Sequence, residues 1–199
     1  MGVRLRTQVL GRLLKTGQTT QYASELDDGY YEKGLSKYYE ILTTLTHAGT
    51  TNITINSKTD AHSNNCVFDN RTKLMFSRYV SASVGPGSDG KIPWTTTGAG
   101  ATAEGIFPYC TAANTAELAG YSDWRIPDYK EVDSLLEIEG TAPFIDDTAF
   151  ASFPSNIIWT SSTHPISTTD AFDIRFDNGA GPTYAVKTAA YYVLLVRGG

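Results

Sequence analysis

Cysteine is scarce in this sequence: Cys66 and Cys110 are the two among 199 residues. Two are too few for a disulfide framework and fall short of a zinc-ligand set, which leaves either one bridge or two buried thiols packing as small hydrophobes. Charge is also sparse, at 19% of residues, and its balance is −5. With no basic excess to grip phosphate backbones, nucleic acid is not an expected partner. No apolar run reaches membrane-spanning length, so membrane insertion is not expected either. The N-terminal MGVRLRTQVLGRLLKTGQ sets Arg4, Arg6, Arg12 and Lys15 among its apolar residues, and it lacks the uninterrupted apolar block of a secretory signal. HExxH, GxSxG, phosphate-loop and dinucleotide motifs are all missing. His47, His62 and His164 stand far apart, in no ligand-spaced pattern, and read as loop residues. Neither a cofactor nor a catalytic residue is expected.

Apolar residues make up 41% of the chain, and twelve tyrosines raise the aromatic share to 12%. That is the composition of a globular protein with an uncharged polar surface, and the length fits one sizeable domain. Residues 1–15 read as an N-terminal extension and 16–199 as a single domain. NITI, from Asn52, alternates as an exposed strand or hairpin does, and VFDNRTKLMFSRYV reads as two strands around a turn at Asp69-Asn70. Pro108 suits the first turn of a helix ending near Leu118, with Gly120 free to turn left-handed. Asp128 and Glu131 form a capping-box pair for a second helix, in which Tyr129, Val132, Leu135 and Leu136 share a face and Gly140 ends the run. Beyond Phe153 come short strands. In AFDIRFDNG the alternation gives Phe172, Ile174 and Phe176 to the core and Asp173, Arg175 and Asp177 to water or a ligand. Helices segregated from antiparallel strands make an α+β fold.

GYSDWRIP, residues 120–127, admits two readings. Asp123, Arg125 and Glu131 supply charge for chemistry, or the segment is a corner tied by hydrogen bonds. Trp124 offers a large apolar body with one donor and Arg125 five donors in a plane, which favours a structural corner between the two helices. The adjacent acids Asp146 and Asp147 are read as a turn or cap before Thr148-Ala149-Phe150 rather than a calcium site.

GYSDWRIP and its capped helix are joined by a TxLMF-like strand, Tyr109-Cys110, WTSST, an A-aromatic-x-aliphatic-x-Phe strand and a terminal VRGG. In that order they resemble the C-terminal domain family of bacterial collagen-like adhesins. The likeness extends upstream to Leu14-Lys15-Thr16-Gly17-Gln18-Thr19 and Asp27-Asp28-Gly29. It implies a C-type-lectin-like fold with two helices and irregular antiparallel sheets. Two departures stand out: TKLMF replaces TGLMW at Thr72–Phe76, and Leu194-Leu195 replaces an Arg-Cys pair. Cys110 therefore loses the partner the family suggests. Formylglycine-generating enzymes share the broad fold but depend on paired C-terminal cysteines, and calcium-dependent lectins carry sugar-binding signatures; neither feature occurs here. An enzyme of that branch is the distant alternative.

The C-terminal segment ending in VRGG also resembles the variable proteins of diversity-generating retroelements, which place a hypervariable binding face on such a scaffold. The resemblance implies a variable region over about residues 156–194, with Asn156, Ile158, Thr160, His164, Ile166, Asp170, Asp173, Arg175, Asp177, Tyr184, Tyr191 and Leu194 as ligand-binding positions. Trp124, Arg125, Trp159 and Arg197 are structural in this reading. By physics alone the same positions read as solvent-facing strand and loop residues; the family layout turns them into a binding face. The expected protein is non-enzymatic and binds a protein or glycan on a host cell surface. It would sit on a viral tail or fibre tip, or as an adhesin on a cell, and is compatible with a homo-oligomer.

Overall fold

The computed structural model describes residues 18, 20–21, 37–42, 52–55, 58–61, 66–78, 80–81, 89–94 and 105–198. The extension at 1–15, His47 and His62 lie outside them. In chain order the elements are β1 (Tyr39–Leu42), β2 (Asn52–Ile55), β3 (Lys58–Ala61), β4 (Cys66–Asp69), β5 (Leu74–Ser77), β6 (Ile92–Pro93), α1 (Ile106–Thr115), α2 (Tyr129–Asp133), β7 (Ile157–Thr163), β8 (Asp170–Arg175), β9 (Ala180–Val186), β10 (Ala190–Tyr191) and β11 (Val196–Gly198). The strand pairs are antiparallel, so the described residues form the α+β arrangement expected. One sheet runs β1-β4-β5-β11, another β7-β8-β9, while β2-β3 and β10-β6 are two-stranded.

Alternation along the strands divides the core in two, because successive side chains leave a strand on opposite faces. On one side, Cys66, Met75, Trp159, Ala171, Val193 and Leu195 pack with Ile106, Tyr109 and Cys110 of α1 and with Trp124. Val67, Phe76, Ile158, Ile174, Phe176, Leu194 and Val196 pack on the other with Val132 of α2, Leu135, Phe150 and Phe153. The chain from 190 to 198 stitches the sheets together. Tyr192 bridges Ile158, the Ser81 and Ser77 N–H groups donate to Val193 O and Leu195 O at 3.0 and 2.9 Å, and β11 pairs with β5. The hydroxyls of Ser81 and Ser77 complete the seam by accepting from Val193 N and Leu195 N, each at 3.1 Å. Cys66 and Cys110 are buried free thiols, so the open choice between bridge and thiols resolves to thiols.

Helix α2 is shorter than the run to Gly140 predicted. Its capping box forms as read, with Glu131 N donating to Asp128 Oδ1 and Asp128 N to Glu131 Oε2, both at 2.9 Å. At the other end Leu135 N–H and Leu136 N–H reach back only three residues, to Val132 O and Asp133 O, the tightening common at helix termini. The Lys37 ammonium then donates to Leu135 O and Leu136 O at 3.0 and 2.9 Å, and Glu137 N–H turns away to Phe144 O. A lysine from β1's approach thus holds the turn that follows α2.

Candidate functional site

The GYSDWRIP corner is built as a set of internal ties. Trp124 is 3% exposed; its indole N–H donates to Leu118 O at 2.8 Å. Its backbone is held by Asn114, whose Oδ1 accepts from Trp124 N at 2.7 Å while Nδ2 donates to Trp124 O at 2.8 Å. Arg125 donates to both Glu131 oxygens at 2.6 Å and to Gly198 O at 3.1 Å. Its backbone exchanges two hydrogen bonds with Val196, at 2.8 and 2.9 Å. Arg197 answers from the C-terminal strand with a bidentate pair to Asp123 at 2.6 and 3.0 Å and lies 3.7 Å over the Tyr121 ring. Burial alone would raise the Glu131 carboxyl, but the bonds from Arg125 and from Asp128 N–H hold it below its ordinary value. Arg125 thereby joins α2 to the chain's C-terminal strand, Asp123 ties the corner to Arg197 of that strand, and Trp124 ties it to α1 through Asn114.

Strand β8 overturns part of the outward face expected from alternation. Phe172, Ile174 and Phe176 do share one side, though Phe172 is half-buried and outside the core; the opposite side is covered too, because Trp159, opposite Asp173 in the β7–β8 ladder, stands there with Tyr191 against its ring. Asp173 is 2% exposed and accepts from the Thr183 hydroxyl. Burial raises its carboxyl above the usual range, with the Thr183 bond and Arg175 opposing. Arg175 and Asp177 are half-buried and paired with each other at 2.7 and 3.1 Å. Ile158, Thr160 and Leu194 are fully buried, correcting their placement on a ligand-facing surface. Ile158 and Leu194 fill the α2 side of the core, and the Thr160 hydroxyl donates to Phe172 O at 2.8 Å. Trp159 is buried as well, its indole donating to Ile92 O at 3.1 Å, with Tyr191 half-buried at 4.7 Å between ring centres. Asn156 is half-buried and accepts from Ile157 N at 2.9 Å.

The remaining positions come together at one end of the β7-β8-β9 sheet. There the rings of Tyr129, Phe172, His164 and Tyr184 form a row, with neighbouring centres 5.2, 5.3 and 4.3 Å apart. Tyr184 is 58% exposed, Val186 55% and Ile166 91%. Tyr184 pairs with Phe172 and Val186 with Asp170 across the β8–β9 ladder, while Ile166 rides on the hairpin between β7 and β8. This strip is apolar, exposed and aromatic, whereas Asp170 and its neighbour Thr169, 3.3 Å apart, supply polar groups beside it. Sequence reasoning missed Val186 and Lys187. The alternation Pro182, Tyr184, Val186 in β9 was the available signal, since all three are exposed.

Asp146 serves as a turn residue, its Oδ1 accepting from Thr148 N and Ala149 N at 3.0 and 2.9 Å. Among the described residues, no group of three or more His, Cys, Asp or Glu side chains is placed to hold a metal ion, and no helix is long and apolar enough to cross a membrane. A family model described as the Lcl C-terminal domain matches residues 65–197. No curated protein matches the chain.

Proposed function

The chain belongs to the Lcl C-terminal domain family, and from that premise we propose that it is a non-enzymatic, adhesin-like surface-binding domain of C-type-lectin-like fold. Its ligand is a protein or glycan on another cell. The observation that carries this reading is the exposed strip of Ile166, Tyr184 and Val186 beside His164. Tyr184 and Val186 share the exposed side of β9, His164 stacks on Tyr184, and Ile166 lies two residues further along the same hairpin; exposed apolar surface marks interaction sites, and tyrosine gives a binding surface much contact area at small entropic cost. The binding positions then reduce to Asn156, His164, Ile166, Asp170, Arg175, Asp177, Tyr184 and Tyr191, because the buried ones cannot change freely without disturbing packing. Diversification of these codons by a retroelement, and display at a viral tail tip, are parts of the same proposal. They require a near-duplicate of the gene's last portion close by, with adenines at the varied codons; a locus without one removes the diversification claim.

Binding itself is tested by flow cytometry of the labelled full chain on a panel of intact cell types. Ile166→Asp and Tyr184→Ala should each lower adherence about tenfold, as loss of an interface hot spot does, without lowering the melting midpoint. Adherence that both variants leave unchanged would place the binding face elsewhere.

A further inference from the structure

Lys187 follows β9 and is the point where three segments of the chain meet. Its N–H donates to Thr169 O and its carbonyl accepts from Trp94 N, both at 2.9 Å. Its ammonium donates to Thr163 Oγ1 at 3.0 Å and Thr168 O at 2.9 Å, and lies 4.0 Å from the centre of the Trp94 ring. Of the three donors an ammonium carries, two are spent on the hairpin between β7 and β8, while the charge faces an aromatic quadrupole. Trp94 is a fixed platform, since its indole donates to Thr160 O at 2.7 Å and its ring meets Phe107 edge-on at 4.8 Å.

The hairpin held in this way has modest backbone bonding of its own. His164 N–H reaches Asp170 O at 3.0 Å and Asp170 N–H reaches Ser167 O at 3.1 Å. Yet it carries Ile166 at 91% exposure, with no core contact to fix its tip. We propose that Lys187 is the positioning residue of the binding strip: it clamps the hairpin between Trp94 and the end of β9, so that His164 and Ile166 are presented in one arrangement before a ligand arrives. Ordering a loop during association weakens binding, and a loop ordered beforehand avoids that loss. The assignment rests on the strip being the binding face.

The test is amide hydrogen exchange on the full chain without ligand. Lys187→Met keeps an aliphatic stem against Trp94 and removes the charge and its donors. Exchange at His164 N–H and Asp170 N–H should rise about tenfold, a local opening that leaves the melting midpoint in place. Lys187→Arg, which can both donate and stack, should restore protection. Unchanged exchange in Lys187→Met, or a rise spread evenly over the chain with a lowered midpoint, would overturn the proposal. Neither result bears on surface binding, because no ligand enters the measurement. Conversely, if exchange responds as expected while Ile166→Asp and Tyr184→Ala adhere normally, the binding reading fails and Lys187 is left as a loop anchor.

Discussion

The corner carboxyl Glu131 and the β8 carboxyl Asp173 are shifted in opposite directions by their surroundings. Removing the Trp124 side chain deletes a buried ring and its bond to Leu118 O. Trp124→Ala should therefore lose about 3–5 kcal/mol in a denaturant titration, the range for emptying a large aromatic site. Normal folding with lost adherence would instead make Trp124 a ligand contact. Glu131 has a lowered carboxyl pKa, so its contribution to stability is full above the unfolded value of 4.5 and is lost as pH falls through the folded value. Because Arg125 is partly exposed, Glu131→Gln should lose only about 1 kcal/mol near neutral pH, and the difference should vanish in acid. Asp173 runs the other way. Its raised carboxyl pKa means that stability is fully present below the ordinary value of 3.8 and is lost as pH rises through the folded one. Asp173→Asn keeps an acceptor for Thr183 and should raise the melting midpoint at about pH 7, with the gain disappearing at about pH 3. A lower midpoint at neutral pH would mean that Asp173 is ionised and needed there.

At the level of elements, the short signals were the legible ones. The capping box located the start of α2; Gly120 does turn left-handed, with φ 81°, but α1 ends at Thr115, short of the expected Leu118, and Glu117, with φ 49°, is already left-handed after it. The end of α2 was not legible, because the turn that follows it is held by Lys37, 98 residues before Leu135. Strand phase in β8 was read correctly as to which residues share a side, but alternation cannot say whether the second side is covered. Cover comes from Tyr191 and Trp159, brought over β8 by pairing between distant strands. The final strand depends on a glycine: Gly198 has φ 81°, and a Cβ there would meet Lys73 O at 3.0 Å. Gly198→Ala should cost about 1–3 kcal/mol, visible as a lower denaturant midpoint and faster exchange along β5 and β11. An unchanged midpoint would show that this chain end is not part of the folding unit.

At the scale of the whole molecule, the described residues form two core clusters among sheets stitched together by the 190–198 segment, which contributes to both. This explains why Leu194, set within the segment assigned to binding, is fully buried while Ile166 stands in solvent. Local patterning decided the capping box that starts α2, the turns, the α+β class and the motifs that mark the family, because each rests on residues a few positions apart. Which side of each strand meets water, that Lys187 reaches Thr163 and Thr168, and that Phe172, His164 and Tyr184 form one row with Ile166 and Val186 beside them were decided by tertiary structure alone. Burial and clustering are properties of surfaces brought together by distant pairings, and a one-dimensional period carries no information about what packs on its far side.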